Sequence, residues 1–146
     1  MTKKPITDSE SPVNRFSNTS SRMKEHKFLI TGDSHARNCT ANVKTDIRDN
    51  FEVQGLVKLG AGTDIVVNSA YSGIMSLSKS DVLIFCGGAN DVRKNISMKV
   101  LQHVMDFIKT NNHTNIILVT VPPRYDLTQS SCVNSEIKSF NRKPKW

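Results

Sequence analysis

A chain of 146 residues, 37% of them hydrophobic, is long enough for one domain with an apolar core and not comfortably for two. Its net charge of +7 sits at the ends: residues 1–27 carry six Lys/Arg against three acids, 138–146 carry four with no acid, and the body balances ten against ten. That layout lacks the basic face of a nucleic-acid reader, leaving only weak phosphate contacts by the ends, and no stretch approaches a membrane span or a secretory signal.

Residues 1–26 read as a flexible polar arm, with Ser9, Ser11, Pro12 and the run Ser17–Ser21 offering little to bury, so the domain is expected over 27–143. Three widely spaced cysteines suggest neither a disulfide framework nor a metal site, and no cofactor is expected. Cys86 lies in an apolar run and reads as a small buried hydrophobe. Unpaired thiols and the missing signal segment point to an intracellular location.

The body alternates strands and helices. Phe28 to Thr31 is a short first strand, followed by a helix over 35–49 with Ala36, Cys39, Val43 and Ile47 as its stripe. Phe51 to Leu59 is a second strand, peripheral because Glu52, Gln54, Gly55 and Lys58 interrupt it. After the turn Gly60–Thr63, residues 64–78 place Ile65, Ala70, Ile74 and Leu77 at helical spacing. Val82 to Cys86 is continuously apolar, as a central parallel strand buried on both faces should be. Ser97 is expected to cap a helix running to about 109, lined by Met98, Leu101, Met105 and Ile108. Asn115 to Val121 is the strongest strand signal, stopped by Pro122-Pro123. Val133, Ile137 and Phe140 mark a last helix over 130–141. Strands joined by crossover helices imply an α/β fold, a mostly parallel sheet with helices on both faces. Ligands of such sheets sit beyond the strands' C-terminal ends, where the turns at 32–35, 60–63, 87–91 and 122–126 all fall.

That rim has the parts of an acyl-transfer site. Ser34 stands at a strand-to-helix turn, where its hydroxyl is exposed and helix amides can hold negative charge. Gly60 and Gly62 let backbone approach a substrate without a Cβ, and Asn90 ends the most buried strand with an amide donor. Each residue also has an ordinary reading: Gly32-Asp33-Ser34 as a turn with a helix cap, Asn90-Asp91 as a capped loop, Asp33 as an acceptor of local backbone N–H groups. Their joint occurrence, in order on one rim, favours the site.

Gly32-Asp33-Ser34 resembles the first block of the SGNH (GDSL-type) hydrolases, esterases with a serine nucleophile, which Ser34 would supply. Gly60-Ala61-Gly62-Thr63 resembles the second block, whose glycine amide joins the oxyanion hole; Gly62 is favoured and Gly60 is the alternative. Gly88-Ala89-Asn90-Asp91 resembles the third, with Asn90 as a further donor. Val119 to Asp126 resembles the family's fourth strand and substrate-side loop, where Arg124 and Tyr125 would contact an anion and a ring. Asn134 and Phe140-Asn141 are similar to the following helix in SGNH-like domains of insect and mobile-element-derived proteins. The resemblance implies a three-layer, flavodoxin-like sheet of order 2-1-3-4 with the family's fifth strand absent.

The family's last block, an Asp-x-x-His pair carrying the base, has no counterpart after Phe140. His35 adjoins Ser34 but consecutive helical residues do not face each other. His26 and His113 precede strands and belong to the opposite rim, and His103 lies within a helix. Without a base, serine is a poor nucleophile. The expectation is thus a truncated, inert or very weak esterase-like domain for a small ester or acyl ligand, with two alternatives: a non-catalytic small-ligand or protein-binding module, or weak nucleic-acid binding through the basic termini. A missing edge strand would also expose 115–121 to self-association.

Overall fold

The computed structural model describes residues 24–92 and 96–143. The arm expected over 1–26 therefore falls almost wholly outside the described residues, as does the end of the basic tail. In chain order the elements are β1 (His26–Gly32), a 3-10 turn (Ser34–Ala36), α1 (Cys39–Asp46), β2 (Phe51–Val57), α2 (Thr63–Ile74), β3 (Val82–Cys86), α3 (Ala89–Val92), α4 (Ser97–Thr110), β4 (Asn115–Val119) and α5 (Cys132–Arg142). The strands form one parallel sheet in the order β2-β1-β3-β4, as expected. Leu29 lies beside Leu83 and Ile30 beside Ile84, so the two central strands present matched apolar rows to both faces.

On one face Leu29, Leu83 and Phe85 pack under Val66, Val67, Ala70 and Ile74 of α2 and Val104 and Phe107 of α4. On the other, Ile30, Val53 and Cys86 meet Ala36, Cys39, Val43 and Ile47. A third cluster joins Val92, Val100, Leu101, Val121, Ile137 and Phe140, holding α5 against α3 and α4. Among the described residues no helix is long and apolar enough to cross a membrane.

Several elements differ from expectation for local reasons. The helix expected over 35–49 is broken into a 3-10 turn and α1, because the Asp33 carboxylate accepts the His35 N–H and tightens the first turn. α1 carries no fully buried residue, and it approaches the sheet through Thr40, which sits so tightly over Gly55 that a Cβ there has no room. The buried stripe of α4 is Val100, Leu101, Val104 and Phe107, while Met98 is exposed; the sheet takes the face carrying the largest ring. Ile65 is likewise exposed, with Val66 and Val67 buried instead. Ser97 is not the cap of α4: it is the first helical residue, and its hydroxyl bonds to Glu136 of α5. Residues 89–92 form one helical turn where a plain turn was expected, entered through Gly88 at φ 109°. β4 stops at Val119, and Val121 turns into the third cluster.

Candidate active site

The parallel topology places the ends of β1, β2 and β3, and hence Ser34, the 60–63 turn and Asn90, on one rim of the sheet. The chain leaves β1 through Gly32, where a Cβ would meet the Cys86 carbonyl oxygen at 2.5 Å and the Ala36 Cβ at 2.7 Å. Only glycine allows that close approach, and it aims Ser34 outward: Ser34 is exposed, and no hydrogen bond ties its hydroxyl to a histidine among the described residues.

Asn90 reaches the neighbouring turn, its Nδ2 donating to the Ala61 carbonyl at 2.8 Å while its second N–H has no acceptor among the described residues. Asp91 is buried. Its Oδ2 accepts from the backbone N–H of Thr63 at 2.8 Å and from the Thr63 hydroxyl at 2.6 Å, stitching α3 to the start of α2. A Cβ on Gly62 would lie 3.0 Å from the other Asp91 oxygen, so closeness favours glycine there, whereas Gly60 is favoured by its φ of 70°. The backbone N–H groups of Ser34 and Gly62 have no protein acceptor among the described residues.

Asp33 is 1% exposed and accepts from the His35 backbone N–H at 3.0 Å. The same oxygen lies 3.0 Å from His35 Nδ1, a contact the sequence reading missed. An Asp-x-His spacing at the start of a 3-10 turn was the available signal. Beside this pair opens a cavity of about 260 Å³ between the ends of β1, β3 and β4, lined by His35, Cys39, Cys86, Val119 and Pro122 among others. Burial pushes the Cys86 thiol up to about 11, helped by nearby Cys39 and Asp33, so Cys86 acts as a hydrophobe. A larger cavity of about 590 Å³ opens on the opposite face, lined by Asp64, Asp91, Lys99 and His103.

Arg124 and Tyr125 line a separate groove with Asn134 and Lys138. The Arg124 guanidinium is engaged by Asp126, at 2.7 Å from Nε and 2.5 Å from a terminal nitrogen, and Tyr125 is 90% exposed. The loop is held by Asn134, which accepts from the Arg124 N–H at 2.7 Å and donates to its carbonyl at 2.9 Å. Of the remaining histidines, His26 opens β1 and stacks at 5.2 Å on Phe51, and His113 lies 3.1 Å from the Ile74 carbonyl, both at the opposite rim. Among the described residues no group of three or more His, Cys, Asp or Glu side chains is placed to hold a metal ion.

No family model and no curated relative matches the sequence. The structure resembles that of a member of the lipolytic protein G-D-S-L family from Veillonella parvula, with a TM-score of 0.66 and 13% identity over 81% of this chain and 69% of that one. It also resembles LAE5, an alpha/beta hydrolase enzyme from the metagenome of Lake Arreo, Spain, with a TM-score of 0.59 and 13% identity over 83% of this chain and 71% of that one. Likeness at this identity shows a fold: the chain shares the parallel α/β architecture of lipolytic G-D-S-L and related hydrolase proteins.

Proposed function

We propose that this chain is an SGNH-type domain whose rim receives a small ester or acyl group, with Ser34 at the nucleophile position and Gly62 and Asn90 as oxyanion donors. The observation that carries the reading is the Asn90–Ala61 hydrogen bond, which docks the third sequence block onto the second beside the free Gly62 N–H. Such donors are worth a few kcal/mol each to an acyl-transfer transition state, about 3 for one well-placed donor. Attack by Ser34 itself is absent or very weak, since no histidine is bonded to its hydroxyl among the described residues. A fluorophosphonate probe is expected to leave Ser34 unlabelled, while acetate titrated into labelled protein shifts the Ser34 and Gly62 amide resonances. Unshifted amides would remove the oxyanion assignment, and stoichiometric labelling of Ser34 would overturn its inertness.

A second property of this domain rests on β4. It is one of the two edge strands of the sheet, and its α1-side residues Ile117 and Val119 are 51% and 42% exposed. An open apolar edge favours pairing with a second copy. Light scattering over a concentration series is expected to show dimer, reverting to monomer in Ile117→Lys.

A further inference from the structure

No histidine among the described residues serves Ser34, yet the rim carries one already set up as a base. A carboxylate can only accept, so the proton shared by Asp33 and His35 sits on Nδ1. The His35 backbone N–H donates to the same carboxylate oxygen, which fixes Asp33 and, through it, the ring. Asp33 is 1% exposed while the His35 side chain is 49% exposed, so the anchor is rigid and the ring's far edge is open. Nε2 has no partner among the described residues, and His35 lines the cavity of about 260 Å³.

We propose that His35 is a general base for water in this cavity, held in its working tautomer by Asp33 as a positioning residue, and that the substrate is an ester of a short acyl group. Proton transfer of this kind needs a free ring nitrogen within hydrogen-bond reach of the nucleophile and a partner that fixes the other nitrogen. Nε2 takes a proton from water, and the water oxygen bonds to the acyl carbon. The bond from that carbon to the alcohol oxygen breaks, and the proton on Nε2 passes to the leaving alkoxide, so ester and water become acid and alcohol. The cavity falls below the ~300 Å³ at which drug-sized ligand sites begin, and Cys39, Cys86, Val119 and Pro122 give it apolar walls. Both features suit an acetyl-sized group better than a long chain or a charged one.

This inference rests on the reading that the rim receives an ester, and changes which atom attacks. p-Nitrophenyl acetate hydrolysis is measured for the full chain and for His35→Gln, Asp33→Asn and Asn90→Ala, each checked for folding by circular dichroism. His35→Gln is expected to lose about a hundredfold or more, the low end of what a positioned general base supplies. The reaction should show a normal solvent deuterium isotope effect, no initial burst, and no acetyl adduct by intact mass. Long-range ¹⁵N spectra should place the His35 proton on Nδ1 and show that preference weakened in Asp33→Asn, whose amide can donate to the ring. A rate unchanged in His35→Gln but reduced in Asn90→Ala would overturn the role of His35 and leave the oxyanion assignment standing. Rates unchanged in both would sink both. An acetyl adduct on Ser34, or no turnover above buffer, would overturn water attack at His35.

Discussion

At the N-terminal ends of the strands one buried carboxylate ties down several polar groups, although His26 Nδ1 and Asn50 Oδ1 there are buried without a hydrogen-bond partner among the described residues; at the C-terminal ends, several backbone donors are left open. Asp81 accepts from the Lys27 N–H at 2.7 Å and from the Ser78 N–H and hydroxyl at 2.7 and 2.8 Å, while its own carbonyl accepts from the Asn115 side chain at 3.0 Å. One buried residue thereby fixes the starts of β1, β3 and β4. The opposite rim keeps the Ser34 and Gly62 N–H groups and the far edge of His35 unpaired among the described residues, beside an open cavity. Free donors at a surface rim cost little in stability because water serves them, and they remain available to a ligand. The Asp81 rim holds the fold, and the open rim presents groups to a substrate.

The largest effect should come from the tied rim. Asp81→Ala leaves the Lys27 and Ser78 N–H groups without their acceptor and is expected to cost about 3 kcal/mol in urea unfolding. Burial would raise the Asp81 carboxyl, but the Lys27 and Ser78 N–H groups and the Ser78 hydroxyl outweigh it, with the Lys27 charge adding, so it is held below its ordinary value. A depressed carboxyl contributes its stability above the unfolded value, roughly pH 3.9, and loses it as pH falls through the lower folded value. Wild-type protein should therefore lose stability on acidification more steeply than Asp81→Asn.

Next come the side-chain ties of the open rim. Asp91→Ala removes both bonds to Thr63 and should cost about 2 kcal/mol by the same measurement. Asn90→Ala removes one bond to the Ala61 carbonyl and should cost about 1 kcal/mol while abolishing acetate-induced shifts at Gly62. A larger cost for Asn90 than for Asp81 would erase the distinction between the rims.

How far the sequence carried this picture depends on the element. β1 and β3 were legible because strands buried on both faces must be continuously apolar, and the order of the turns followed from parallel crossover. Of the expected α4 stripe, Leu101 is buried and Met105 and Ile108 pack against the cores, whereas Met98 is exposed. The reason is that α4 meets both the sheet and α5, and its buried face widens to Val100, Val104 and Phe107. α3 was missed because one helical turn has no period to detect. At the rim, Asn90 beside the 60–63 turn was anticipated, whereas the Asp33–His35 bond was not. Helical spacing rightly separates neighbours such as Ser34 and His35, but a tight 3-10 turn lets its capping aspartate meet the ring two residues on.

The smallest effects lie within three residues of one another on β1 and its turn. Thr31 is fully buried, and its hydroxyl has no hydrogen-bond partner among the described residues. Thr31→Val exchanges that hydroxyl for a methyl of similar shape and should raise stability by about 1 kcal/mol. Ser34 is the reverse case: exposed, with no hydrogen bond from its hydroxyl among the described residues. Ser34→Ala should therefore stay within about 0.5 kcal/mol of wild type, as surface exchanges without a specific contact do. Thermal unfolding of the two variants side by side gives the comparison its finest test. A cost above about 1 kcal/mol for Ser34→Ala would mean that its hydroxyl is bound into the fold as Asp81 is. The C-terminal rim would then be tied like the other, and Ser34 would no longer be open to a substrate.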